Sequence, residues 1–483
     1  MRHSRETFIG LLSVCFFVIV CYSAVGAWQD SSTIQEGFKL LFTEEGQGIR
    51  SVPTLPDFTK YKQLRTLAKD EFPLDDDNRK VIIIGDIHGM IGPFRKLLRK
   101  VGYQTGHDVL IHTGDIVTRG SMKGSMKILD FLATHNITGV RGNNDQQVVE
   151  WRGWFDWILA MPGGLRWLER LESKWEGIQE DEPSTDLDDF LDFERQNSSG
   201  QDRKWWQTIP KKWKPLSDHY LVARGMSARH AHYLLNLPLR LHVPHAHTFI
   251  VHAGLLPFNP KWAMDDDRQP LAHTPTLFGS RKVKQSKEQL RLRQELSILD
   301  DIPQNRDPWT PLNLRSIIKG KMSRDASKGK YWVQLWKRQM KSCVGFSSSL
   351  DGPVSETSDI EGDSPSSEFT IQARGQKPTY KLPCYPSTVI YGHTASKGRD
   401  INRWSFGLDA GCAYGRRLSA LIIGGNSTQV MEIDDDEAQD EAREDENEDD
   451  EDDEFIETDK KPPSIPVFRF GDRSRARMIS VRC

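Results

Sequence analysis

Val81-Ile82-Ile83-Ile84-Gly85-Asp86-Ile87-His88-Gly89 sets four β-branched apolar residues directly before a glycine, an aspartate and a histidine. A continuous apolar run of this kind reads as a strand buried on both faces. Polar residues just past its end then lie at the strand's C-terminal edge, where α/β and layered folds place their chemistry. The arrangement recurs four times: Val109–Asp115 (VLIHTGD), Ile137–Asp145 (ITGVRGNND), Thr248–Gly254 (TFIVHAG) and Thr388–His393 (TVIYGH). Between them, Pro93–Gly102 and Ser125–His135 carry apolar residues at helical spacing. Strands alternating with helices predict an α/β layered fold.

Working outward, the core domain is expected over residues 79–431, with insertions at 151–213 and 261–381. The first insertion holds eight of the fourteen Trp and the acidic, polar stretch Glu180–Gln201. It is expected to be a helical cap that buries its Trp; an aromatic, basic rim gripping substrate is the rival reading. The second contains Ser347–Pro365, Ser-rich and expected to be a loop. Residues 29–78 are expected to be a linker.

The ends differ in character. Phe8–Trp28 runs 21 residues without a charge, long enough as a helix to span about 31 Å, one hydrocarbon core. Arg2 and Arg5 precede it, and mostly acidic residues follow. The positive-inside bias therefore predicts a cytosolic stretch 1–7, a signal-anchor helix 8–28 and a lumenal remainder. A cleaved signal peptide, with Val25-Gly26-Ala27 as its cleavage site, is the competing reading. The sequons at Asn136, Asn197 and Asn426 fit a glycoprotein of the secretory route. Residues Asp434–Glu454 hold 16 Asp/Glu against one Arg, a net of −15, so the rest of the chain sums to −3 + 15 = +12. The segment 432–483 is expected to be an acidic disordered tail with a basic end. Six Cys in 483 residues exclude a small disulfide scaffold, and the composition excludes fibrous and multi-span membrane classes.

Past the strand ends stand Asp86, His88, Asp115, Asn143, His252 and His393. Three histidines, two aspartates and one asparagine are mixed nitrogen and oxygen donors, suited to divalent Zn, Mn or Fe and not to a thiolate-loving ion. Asp115 could bridge two such ions about 3.5–4 Å apart, a pair able to activate a bridging water for in-line phosphoryl transfer.

These blocks resemble the calcineurin-like metallophosphoesterases, specifically the phosphoprotein-phosphatase branch. The resemblance rests on Gly85-DIHG, Gly114-DIVTRG, Gly142-NND, His252-AGL and Gly392-His393, with Phe406–Ile423 similar to the branch's last core segment. It implies a two-sheet β-sandwich flanked by helices. It also implies two metal ions, one on Asp86, His88 and Asp115, the other on Asp115, Asn143, His252 and His393. Arg119 would clamp phosphate oxygens, and Arg315 is the candidate second clamp. His242, His245 and His247 fit no block and are expected to be supporting or surface residues.

Two departures stand together. Asn144 occupies the general-acid histidine's position, and Thr118 the position of the aspartate that orients it. An ester leaving as a basic alkoxide needs an acid. A phosphoanhydride expels a phosphate whose second pKa is about 6, so general-acid help worth about 10²–10⁴-fold matters less. With the ligand set and Arg119 retained, hydrolysis of a phosphoanhydride is favoured, most of all inorganic polyphosphate. In its expected lumenal placement behind an N-terminal anchor, the chain is similar to the fungal vacuolar endopolyphosphatases. The bacterial-type dinucleoside polyphosphate hydrolases are also similar, although they keep the acid histidine. Alternatives are a Ser/Thr protein phosphatase of the same fold and a non-catalytic polyanion-binding protein. Expected partners are a polyanionic or phosphorylated substrate and, through the N-terminal helix, a membrane; no nucleic acid is expected.

Overall fold

The computed structural model describes residues 57–58, 60–276, 286–346, 380–425 and 466–483. The expected membrane span 8–28, the sequon at Asn426, the Ser-rich loop and the acidic run 434–454 lie outside them. Among the described residues no helix is long and apolar enough to cross a membrane.

Two six-stranded sheets pack face to face. One contains β1 (Leu64–Thr66), β5 (Arg240–Val243), β6 (Thr248–Val251), β10 (Thr388–Tyr391), β11 (Asp400–Asn402) and β12 (Ser405–Gly407), in the order β1-β5-β6-β10-β12-β11. The other contains β2 (Lys80–Ile84), β3 (Val109–His112), β4 (Thr138–Gly139), β13 (Arg417–Gly424), β14 (Val467–Phe470) and β15 (Ser474–Arg482), in the order β14-β15-β13-β2-β3-β4. Strands β2, β3 and β4 run parallel, as do β6, β10 and β12. Their C-terminal ends therefore open on the same side of their sheets.

The two-residue period of a strand explains the burial of Val81–Ile84 on both faces. Val81 and Ile83 meet Ile250, Ile390 and Phe406 between the sheets. Ile82 and Ile84 face the helices Ile91–Lys100 and Met122–Thr134 through Phe94, Leu97, Ile128 and Leu132. The outer face of the other sheet is covered by the second insertion, with Ile298, Leu299, Trp332 and Trp336 packed against Phe249, Val251 and Val389. That insertion also carries a three-stranded sheet of β7 (Ser316–Ile318), β8 (Lys321–Ser323) and β9 (Lys330–Tyr331).

The first insertion is helical and most of its Trp are inside, with Trp175 and Trp213 partly buried. Trp151, Trp154, Trp167, Trp205 and Trp206 are buried in one cluster, with ring centroids of Trp151 and Trp154 5.4 Å apart and those of Trp151 and Tyr220 5.1 Å apart.

Two expectations need correction. The C-terminal end is not an unstructured extension: β15 pairs antiparallel with β13 over seven residues, and β14 folds back on β15. Its arginines alternate with apolar residues, so Ala476 and Met478 enter the inter-sheet core while the side of β13 left open by β2 is covered. A disulfide, Cys412–Cys483, ties the end of the chain to the site loop. Similarly, part of the expected linker 29–78 belongs to the sandwich, because β1 pairs with β5 and Phe72 is buried between the sheets. The three histidines outside the blocks are supporting residues: His242 and His247 each hold the buried carboxylate of Glu295 at 2.7 Å, and His245 hydrogen-bonds the Phe72 carbonyl.

Candidate metal centre

The strand ends of both sheets converge on one buried cluster. Ligand atoms of Asp86, His88 and Asp115 lie within 4.8 Å of one another, and so do those of Asp115, His252 and His393. Asp115 is common to both groups. Asn143 joins the second, its Oδ1 standing 3.0 Å from His252 Nε2. All six positions assigned from the sequence are thus brought together.

The backbone is bent to achieve this. His88, Asp115, Thr118, Arg119 and His393 have φ of +51°, +51°, +70°, +64° and +69°, a region costly for residues with a side chain and concentrated at functional sites. Two glycines allow the close approach: a Cβ at Gly142 would fall 2.1 Å from Asp115 Oδ1, and one at Gly392 would fall 2.0 Å from Asp86 Oδ1.

The polar atoms of the cluster fit a cation. His252 Nδ1 lies 2.9 Å from the Thr113 carbonyl and donates to it, so the ring's lone pair for a metal ion would lie at Nε2. That lone pair faces Asn143 Oδ1, His393 Nδ1 at 3.1 Å and Asp115 Oδ1 at 3.5 Å. Acceptors facing acceptors in a buried space call for a positive ion. His88 Nδ1 and His393 Nε2 are buried with no hydrogen-bond partner. The histidine, aspartate and asparagine donors suit Zn, Mn or Fe.

Without an ion the carboxylates compete. Burial, then the nearby Asp409 and Asp115, push the Asp86 carboxyl well above its ordinary range. Burial opposes ionisation of Asp115 too, yet the surrounding His252, His88 and His393 hold it below the usual carboxylate range. Burial also holds His88 down, and burial with His252 and Arg315 holds His393 well down. A bound metal ion would instead require neutral imidazoles around ionised carboxylates. Asp145 completes the frame, accepting from the backbone N–H of Asp115, Ile116 and Gly142 at 2.8–3.0 Å.

The cluster floors a cavity of about 460 Å³. Arg119 and Arg315 line it. Arg315 Nη2 donates to the His393 carbonyl at 3.1 Å and its Nη1 to the Arg324 carbonyl at 3.2 Å. Arg324, Tyr414 and Arg416 complete the cationic wall. The Tyr414 ring has Arg119 5.9 Å away and Arg416 5.8 Å away.

Residues 79–259 match the calcineurin-like phosphoesterase family. The chain thus resembles that family over 181 of its 483 residues. It is 32% identical over 96 residues to serine/threonine-protein phosphatase 1 of Salmonella typhimurium, covering 20% of this chain and 44% of that protein. It is 43% identical over 65 residues to a symmetrical bis(5'-nucleosyl)-tetraphosphatase of Haemophilus ducreyi, covering 13% and 23%. The chain therefore spans less than half the length of these curated relatives. A solved serine/threonine phosphatase from Saccharomyces cerevisiae aligns over 76% of this chain and 78% of its own, at 12% identity and a TM-score of 0.29.

Several residues around the cluster were not singled out from the sequence. Asp409, buried in the cavity wall two residues past β12, obeys the same strand-end rule as the ligands and was within reach of it. Arg324 comes from the second insertion and His219 from the helix that follows the first, and neither carries a motif. His219 Nε2 lies 2.9 Å from Asn144 Oδ1, while the Asn144 side-chain amide donates to Asp115 Oδ2. Thr118 orients nothing: its hydroxyl is buried and unpartnered.

Proposed function

We propose that the chain is a dinuclear-metal hydrolase of phosphoanhydride bonds, with inorganic polyphosphate as preferred substrate. The observation that carries this reading is the set of four guanidinium groups, Arg119, Arg315, Arg324 and Arg416, lining the cavity over the ligand cluster. Among the described residues none of the four has a carboxylate partner; Asp325 at the same wall pairs with Lys328 at 3.5 Å. One phosphoryl group carries at most about two negative charges. Four unpaired guanidinium groups match a longer polyanion, whose neighbouring phosphates would each take a charge-assisted hydrogen bond.

Asp86, His88 and Asp115 would hold one ion, and Asp115, Asn143, His252 and His393 the second. Ions so bound lower the pKa of a water and offset charge on phosphoryl oxygens. Arg119 and Arg315 bind and orient the scissile phosphate, and Arg324 and Arg416 hold adjoining units. Asn144 has no proton to give at neutral pH. The reaction therefore relies on a leaving group stable without one, which an anhydride supplies and a serine or threonine ester does not. The tetraphosphatase relative acts on an anhydride and the protein phosphatase relative on an ester; the Asn144 and Thr118 substitutions favour the former chemistry.

A lumenal catalytic domain anchored by residues 8–28, in the vacuole or elsewhere in the endomembrane system, belongs to this proposal. The two disulfides, Cys343–Cys384 and Cys412–Cys483, support an oxidising compartment.

The test is the purified full-length protein with Zn or Mn, given long-chain polyphosphate, a dinucleoside polyphosphate and a phosphopeptide side by side. Shortening of polyphosphate without phosphopeptide turnover supports the proposal. Turnover of the phosphopeptide alone makes the chain a protein phosphatase, and tight polyanion binding without turnover makes it a binding protein.

A further inference from the structure

His219 belongs to no strand-end block. It lies on the helix Asp218–Gly225, which follows the cap insertion, and reaches the edge of the ligand cluster from there. That helix is held from behind. Tyr220 packs its ring 5.1 Å from Trp151 and 4.8 Å from Phe155, and donates its hydroxyl to Glu172 at 2.7 Å. Arg224 reaches the same carboxylate at 3.0 Å. Two cap helices therefore fix where the imidazole stands.

The contacts of Asn144 decide how its side chain is turned. Its main-chain N–H donates to Asp115 Oδ1 at 2.9 Å and its side-chain NH₂ to Asp115 Oδ2. A carboxylate only accepts, so the NH₂ must face Asp115 and the amide oxygen must face His219. That oxygen also only accepts, so His219 must carry a proton on Nε2. Burial holds the imidazole down to about 4, and the ring is neutral with its single proton committed to Asn144. Were the proton on Nδ1, the Nε2 lone pair would favour a turned amide, and the Asn144 oxygen would oppose the Asp115 carboxylate.

We propose that His219 is a positioning residue of the metal centre: by donating from Nε2 to Asn144 Oδ1 it fixes the amide with its NH₂ on Asp115 Oδ2, and so sets the angle of the shared carboxylate. The cap insertion thereby acts on the centre through the helix it holds and one imidazole on it. The proposal rests on the metal-centre reading given above and adds to it a residue outside the ligand set.

The test compares three full-length variants: His219→Ala without a donor, His219→Gln with a donor of similar reach, and His219→Asn with the same amide on a shorter stem. Loss of the His219 bond, and with it the Asn144 amide's hold on Asp115, is expected to lower kcat on polyphosphate about 10-fold in the Ala and Asn variants. KM should move less than about twofold, because no contact with substrate is removed. The Gln variant should recover to within about threefold of the parent. Crystal structures of the metal-free Ala and Gln variants provide a reading independent of turnover: Asn144 should leave Asp115 in the first and keep its place in the second. Should His219→Ala fail to fold, the contrast between Gln and Asn decides. Equal kcat in the parent and the variants, a Gln variant no better than Asn, or Asn144 unmoved in the Ala crystal overturns the proposal. A parent protein that turns over no phosphate compound removes the hydrolase reading instead, and the crystal positions of Asn144 still decide this one.

Discussion

Each candidate metal ligand stands within four residues of a strand's last residue, whereas most of the groups around the cluster come from loops and insertions. Ile84 leads to Asp86 and His88, His112 to Asp115, Gly139 to Asn143, Val251 to His252 and Tyr391 to His393. Those ligands are fixed by buried parallel strands and left-handed backbone, with no freedom to relocate. Arg324 and His219 occupy segments whose own packing is satisfied elsewhere, by the three-stranded sheet and by the tryptophan-rich cap. The difference separates two proposed tasks: the sandwich would hold metal, and the additions around it would choose what the metal meets.

The largest effect should come from the sandwich side. Asp115→Asn removes a charge shared by both halves of the cluster and is expected to lower polyphosphate turnover by more than about 10³-fold. Residual turnover within 10-fold of the parent would mean that Asp115 does not join the two halves. Arg119→Ala, at the rim of the same floor, should cost about 10²–10³-fold in kcat, as loss of a transition-state charge partner does. An effect confined to KM would make it a ground-state contact only.

The wall residues should show smaller, substrate-selective losses. Replacing Arg324 and Arg416 together by Ala is expected to raise the KM for long-chain polyphosphate about 10–100-fold, with a far smaller change for p-nitrophenyl phosphate, which has no adjoining phosphate. Equal changes on both substrates would dissolve the distinction between floor and wall. Asn144→His combined with Thr118→Asp should raise ester hydrolysis about 10-fold more than anhydride hydrolysis. A uniform rise would show that the leaving group does not explain the missing acid.

The sandwich was legible because its strands are continuous apolar runs and its ligands follow them at once. The same logic reaches Asp409, two residues beyond β12. The C-terminal hairpin was hidden by its composition. Arg475 and Arg477 alternate with Ala476 and Met478, and the short period is masked by charge and by the acidic run before it. Its partner strand β13 is visible in the sequence, but nothing in β13 says which later segment pairs with it. His219 and Arg324 were illegible for another reason: a lone histidine or arginine acquires meaning only from the tertiary position of Asn144 and of the cavity. Arg315, marked in the sequence only as a candidate, gained its place from contacts to two carbonyls that no local pattern encodes.

The account depends on two ions held by one buried cluster through a common aspartate. Elemental analysis of the full-length protein after equilibration with Zn or Mn and removal of free metal measures this directly. Two ions per chain are expected in the parent, and at most one in Asp115→Asn. A parent that retains none, or an Asp115→Asn variant that retains as many as the parent, would contradict it.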